Sequence, residues 1–173
     1  MSATGTRRGA HRSALRKALV LPVVAALAVP ALATSAEANH QRTVGGNAAF
    51  RTMDYESVGR NERCNGSLPL SLGPVEVGKP RDFTISAKCG GEIRVEVHFR
   101  LTHQQGGFIR VTHGSVELYE GTSASTTDRD GVAAFGNEFL FPGQSTTKNV
   151  HVQNWNEGQP DDKADVTLTL RNP

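Results

Sequence analysis

The chain predicts an all-β fold: an antiparallel β-sandwich of about seven strands with one disulfide. Three observations predict it. The segment Glu92–Leu101 alternates polar and apolar residues without a fault. Turn-forming Gly and Pro residues separate most of the apolar runs that surround it. Cys64 and Cys89 are the only cysteines, and both follow a leader that reads as an export signal. No segment carries a helical period.

The first 38 of the 173 residues form that leader. Residues 1–17 are polar and Arg-rich, Ala18–Ala28 is a short apolar run, and small residues follow Pro30. This is the order of charge, apolar core and small-residue cleavage site in a secretory signal peptide. The apolar run is too short to span a bilayer comfortably, so no membrane span is expected after cleavage. Ala36-Glu37-Ala38 marks cleavage after Ala38, with Ala31-Leu32-Ala33 the alternative. Arg7-Arg8 invites a twin-arginine reading, but Gly9-Ala10-His11 lacks the apolar residues that normally follow the pair. The general secretory route and a secreted, extracellular protein are therefore expected. The Ala- and Arg-heavy composition has the look of a bacterial leader.

The leader also carries the net charge of +2. Five of its residues are basic and Glu37 alone is acidic, which leaves 14 basic and 16 acidic groups in the remaining 135 residues. A nucleic-acid binder by bulk charge is excluded. Two cysteines exclude a cysteine-based zinc cage. In an exported chain they predict a Cys64–Cys89 disulfide, closing a loop of about 25 residues that stabilises by about 3 kcal/mol.

Residues 39–63 are polar and weakly patterned, and are expected to be flexible or weakly ordered, with an edge strand at most over Phe50–Val58. The sandwich is expected over 64–173, beginning with a strand at 67–72. In Arg81–Lys88, Phe83, Ile85 and Ala87 alternate. In Glu92–Leu101, Ile93, Val95, Val97, Phe99 and Leu101 share the buried face. The next strand, 108–120, alternates on both sides of His113-Gly114, which reads as a bulge or kink. Strands at 132–141, 146–155 and 164–170 complete the set. Gly78-Lys79-Pro80, Gly90-Gly91, Gly106-Gly107, Asp130-Gly131 and Pro142-Gly143 punctuate them.

Phe141-Pro142-Gly143-Gln144-Ser145-Thr146, and the final Ala164–Leu170 strand after an acidic loop, resemble bacterial extracellular immunoglobulin-like modules. The resemblance covers roughly residues 67–171 and implies an immunoglobulin-like or C2-like architecture. It implies no particular activity.

Successive connections in such a sandwich alternate between its two ends. Cys64 and Cys89 then fall at one end, together with loops 121–131 and 156–163. These loops carry Asp128, Asp130, Glu157, Asp161 and Asp162. Carboxylates gathered this way repel one another unless spread, paired or metal-bound. Asp128, Asp130, Asp161 and Asp162 are the candidate calcium ligands, since calcium takes six to eight oxygens from flexible loops. The alternative is a solvated acidic rim. Asp128-Arg129-Asp130-Gly131 opens like an EF-hand loop, but its twelfth position is Phe139 and its flanks are strands.

Five histidines lie beyond the leader: His40, His98, His103, His113 and His151. His98 and His151 would meet to bind zinc or copper if their strands were neighbours; surface histidines without a task are the plainer reading. Glu96 and His98 share a strand face and form the best available acid–base pair for a small hydrolase. Trp155, with Tyr119 and Glu157, is the candidate contact for a sugar ring, although aromatics are only 6% of the chain. Packing of Trp155 under a loop is the alternative.

Arg42-Thr43-Val44-Gly45-Gly46 resembles the activation-cleavage site of trypsin-like proteases. No Gly-Asp-Ser-Gly-Gly or Gly-x-Ser-x-Gly accompanies it, so it reads as a protease-sensitive tail. Asn65-Gly66-Ser67 matches a glycosylation acceptor, which the bacterial look of the leader makes idle. The expected function is a secreted, non-catalytic binding or surface module for an extracellular protein or glycan. A calcium-dependent module, a protease inhibitor and a small hydrolase are the alternatives.

Overall fold

The computed structural model describes residues 40–56, 59–155 and 162–173. The expected leader at 1–38, and Glu157 and Asp161 of the second acidic loop, lie outside the described residues. The described residues form nine strands: β1 (Gln41–Asp54), β2 (Glu62–Glu76), β3 (Pro80–Cys89), β4 (Ile93–His103), β5 (Ile109–Tyr119), β6 (Arg129–Phe135), β7 (Glu138–Leu140), β8 (Ser145–Gln153) and β9 (Lys163–Arg171). They build two antiparallel sheets, β2-β1-β9-β8 and β3-β4-β5-β6, with β7 also paired to β5. None of the described residues forms a helix long and apolar enough to cross a membrane.

The sheets pack face to face, as the alternating strands require. Phe50, Val152, Val166, Leu168 and Leu170 from one sheet meet Ile93, Val95, Val97, Phe99 and Leu118 from the other. β4 is buried at every second residue over its whole length. Opposite it, β5 carries a bulge. His98 and Arg100 face Ser115 and Thr112, so His113 and Gly114 together stand opposite the single Phe99, one residue in excess, and His113 takes a positive φ of 54°. The expected strand at 132–141 is broken at Gly136-Asn137 into β6 and β7, which pair with β5 on either side of that bulge.

The main departure from expectation is β1. Residues 41–54 are not weakly ordered: they form a central strand paired with β2 on one side and β9 on the other. Its core-facing positions include Gly46 and Ala48, so the apolar signal is faint while Gly45–Met53 pairs on both edges. The Arg42–Gly46 segment is therefore strand, with Val44 fully buried, and is no protease-sensitive tail. On its other side β2 is an edge strand, where Pro69 and Pro74 are tolerated because a missing donor can face solvent. The strand order also departs from the immunoglobulin pattern, in which the third and sixth sandwich strands are neighbours. Here β4 and β8 lie in different sheets.

Candidate functional site

The disulfide forms as expected. Cys64 and Cys89 are joined with Cα atoms 5.5 Å apart, bridging β2 to β3 and so one sheet to the other. A disulfide of this kind belongs to an oxidising compartment. It sits at the loop end the sequence points to. There the Ala124 N–H donates to the Gly91 carbonyl at 2.6 Å, and Arg94 Nη1 donates to the Ala124 carbonyl at 2.6 Å. These bonds tie the β5–β6 loop to the β3–β4 turn. The Asn154 side chain donates to Glu120 Oε2 at 2.9 Å, while its backbone N–H donates to the Asp162 carbonyl at 2.9 Å. These tie the same loop to the ends of β8 and β9.

Acidic side chains gather at this end, but not quite the set expected. Asp162 is buried, and its Oδ1 accepts the Tyr55 N–H at 2.6 Å. Asp130 is half-buried and accepts the Glu120 N–H at 3.1 Å. Asp128 is exposed, and its own N–H is turned onto the Thr126 hydroxyl. The new member is Asp54, the last residue of β1, only 4% exposed. Its carboxylate accepts no hydrogen bond from the described residues, and it points with Glu62 at the Cα of Gly90, where a Cβ would strike both carboxylates.

Burial, then the charges of Glu56, Glu92, Glu62 and Glu120, push Asp54 up to about 6. Burial, then a hydrogen bond with Glu120, raise Asp162 well above the carboxylate range. The end of the sandwich thus holds two buried acids in a field of neighbouring carboxylates. Among the described residues, no three His, Cys, Asp or Glu side chains close to metal-ligand distances. Asp54 escaped the sequence reading because it lies in the segment expected to be weakly ordered. Its place after the inward-facing Phe50 and Thr52 is the signal that finds it.

The outer face of the β3-β4-β5-β6 sheet holds the expected acid–base pair. His98 Nε2 lies 3.0 Å from Glu96 Oε2, out of line for a hydrogen bond, and His98 Nδ1 is 3.0 Å from the Thr84 hydroxyl. The surroundings are a closed ionic network. Arg94 bonds Glu96 at 2.8 Å and covers the Tyr119 ring at 4.3 Å, and Tyr119 donates to Glu117 at 2.6 Å. That bond to Glu117, with burial, pushes the Tyr119 hydroxyl up to about 12. Burial works to raise Glu117, but the Tyr119 hydroxyl, His98 and Arg129 hold it below its ordinary value. Ser115 stands opposite His98 in the register, yet its hydroxyl leans to Glu117 at 3.5 Å and forms no nucleophile–base pair.

The expected histidine pair fails on position. His98 and His151 occupy opposite sheets and cannot share a metal. His151 instead pairs with Asp165 at 2.8 Å and Gln153 at 3.0 Å, and these two bonds raise its pKa. Trp155 is 72% exposed. Tyr119, its expected companion, is already committed to Arg94 and Glu117.

No family model matches the chain, and neither does any curated protein or solved structure.

Proposed function

We propose that the protein is an exported, non-catalytic binding module whose acidic end is its ligand face. The observation that carries this reading is Asp54: a buried carboxylate without a hydrogen-bond donor among the described residues, facing four further carboxylates. A buried charge in that state is costly, and a cation held between the loops relieves it. The leader and the disulfide support export. The ligand is a cation or a cationic group on an extracellular partner.

A second reading makes that cation calcium, in a calcium-dependent module of the same fold. It is favoured by the all-oxygen character of Asp54, Glu120, Asp130, Asn154 and Asp162, the donor type calcium prefers. Thermal melts test both readings. Extracellular calcium modules bind at about 0.1–1 mM, so 10 mM calcium supplies about 1.4–2.7 kcal/mol by mass action. That corresponds to a rise of several degrees over the melt in chelator. Magnesium at equal ionic strength should not reproduce it. If calcium fails but hexalysine raises the midpoint and Asp54→Asn removes the rise, the ligand is a cationic partner. If neither probe shifts the wild-type midpoint, the acidic end is a solvated rim and both readings fall.

A further inference from the structure

The outer face of the β2-β1-β9-β8 sheet is a regular grid of mostly polar side chains. The four strands are in register over five rows. One row reads Arg63, Met53, Lys163, Gln153; the next reads Asn65, Arg51, Asp165, His151. Then come Ser67, Ala49, Thr167, Asn149 and Pro69, Asn47, Thr169, Thr147, and last Ser71, Gly45, Arg171, Ser145. Alternation sends these side chains away from the core. No aromatic residue stands among them, and Asp165 is the one carboxylate, already bonded to His151.

Two features of this grid point to a ligand. The first is relief. Short side chains fill the middle rows, while Arg51, Arg63 and Lys163 rise beside them. Two adjoining grooves result, of about 690 Å³ and about 450 Å³, sharing Arg51 and Asp165 as their common wall. The second is hydrogen-bond polarity. Ser67 donates to Asn47 Oδ1 at 2.9 Å, and Thr167 donates to Asn149 Oδ1 at 2.8 Å. With their oxygens engaged, both amides offer N–H donors, and both hydroxyls keep their lone pairs. Arg51, Arg63 and Lys163 make no ion pair among the described residues. The carboxylates of Asp54 and Glu62 fall on the opposite face of the same strand ends by the period of two.

We propose that this face binds an acidic polysaccharide of the uronate type. Its carboxylates would meet Arg51, Arg63 and Lys163, as charge-assisted hydrogen bonds favour. Its hydroxyls would both give and take hydrogen bonds along the Ser, Thr and Asn rows. A nucleic acid would want stacking platforms, and an apolar peptide would want pockets for side chains; this face has neither. The site is separate from the acidic end and does not depend on it.

Titration of the purified protein with polygalacturonate oligomers tests the proposal. It is run in chelator at low salt, so that calcium plays no part. Dextran supplies hydroxyls without charge, and polyphosphate supplies charge without hydroxyls. Polygalacturonate should bind more tightly than either, and more weakly as salt rises. The double variant Arg51→Ala/Lys163→Ala should weaken it at least tenfold. Thr167→Leu should do the same by filling the groove without changing charge, with Ala49→Leu as the substitute if that variant does not fold. Trp155→Ala should change nothing. No binding of polygalacturonate, equal binding of dextran, equally tight polyphosphate that ignores Thr167→Leu, or retained affinity in the double variant would each overturn the proposal.

Discussion

Asp162 holds Tyr55 by its backbone: Oδ1 of the one accepts the N–H of the other at 2.6 Å across 107 residues of sequence. The bond fixes the end of β1 to the start of β9, where the two strands part. Its acceptor survives protonation, because a carboxylic acid keeps a carbonyl oxygen. Asp162→Asn therefore preserves it, while Asp162→Ala leaves the part-buried Tyr55 N–H without this acceptor. Near pH 6 the Ala variant should lose about 1–3 kcal/mol and the Asn variant distinctly less. At pH 9 in chelator, where wild-type Asp162 must ionise against Glu120, the Asn variant should be the more stable protein. Chemical denaturation at the two pH values measures both. An Asn variant as unstable as the Ala variant would remove Asp162 from this role.

The disulfide should be worth more than its single bond suggests, because it joins the two sheets. Cys64 and Cys89 are separated by 25 residues, and closing a loop of that size restricts the unfolded chain by about 3 kcal/mol. Replacing both by serine should lower the melting midpoint by about 10–20 °C. Reduction of the wild type should give the same change. A loss below about 1 kcal/mol would mean that the β2–β3 junction is held by its neighbours alone.

Much of this was legible in the sequence, and the limits have physical causes. Strong alternation around Val95 and Val97 announced β4, and the His113-Gly114 break announced the bulge. Alternating loop ends placed Cys64 beside Cys89 and brought 121–131 to the far end of β8. The strand β1 was hidden because Gly46 and Ala48 stand where larger apolar residues would signal burial. With β1 hidden, Asp54 was hidden too, and so was the face of which Ala49 and Arg51 form the middle. Sheet partnership was a different kind of miss. Nothing in single-strand periodicity says whether β4 lies beside β8, and so the His98–His151 pairing rested on analogy alone.

Two adjacent glycines of β1 should behave oppositely. A Cβ on Gly46, whose φ is +156°, would overlap the Thr169 carbonyl oxygen on β9. A Cβ on Gly45 meets only the Leu70 carbonyl oxygen, at an ordinary 3.9 Å. Gly46→Ala must push β1 and β9 apart in the middle of their sheet and should cost about 1–3 kcal/mol or more. Gly45→Ala restricts the unfolded chain without a clash and should be neutral or stabilising by about 0.5 kcal/mol. Melts of the two variants side by side check this. Equal effects would mean that β1 does not approach β9 as closely as its register requires.

Between pH 4 and 6.5 two buried groups should oppose each other. Asp54 titrates near 6 in the folded protein, above its unfolded value of 3.8. Falling pH therefore protonates the folded state first, and stability rises as pH drops from 6 to 4. His103 does the reverse. It is fully buried at the other end of the sandwich, and neither ring nitrogen has an aligned partner. Burial, then the Arg42 guanidinium, lower its pKa below 6.5, while nearby backbone groups of Val75 and His40 oppose this only in part. The unfolded chain then takes the proton first, and stability falls as pH drops below 6.5. The two contributions have opposite signs in the wild type in chelator, and single variants should expose each slope. His103→Leu should gain stability toward pH 4, and Asp54→Asn should lose it more steeply than the wild type. Calcium, if it occupies the acidic end, competes with the Asp54 proton, so its stabilising effect should shrink from pH 7 to pH 5 in the wild type and be absent in Asp54→Asn. Parallel profiles for all three proteins would show that neither group titrates with folding.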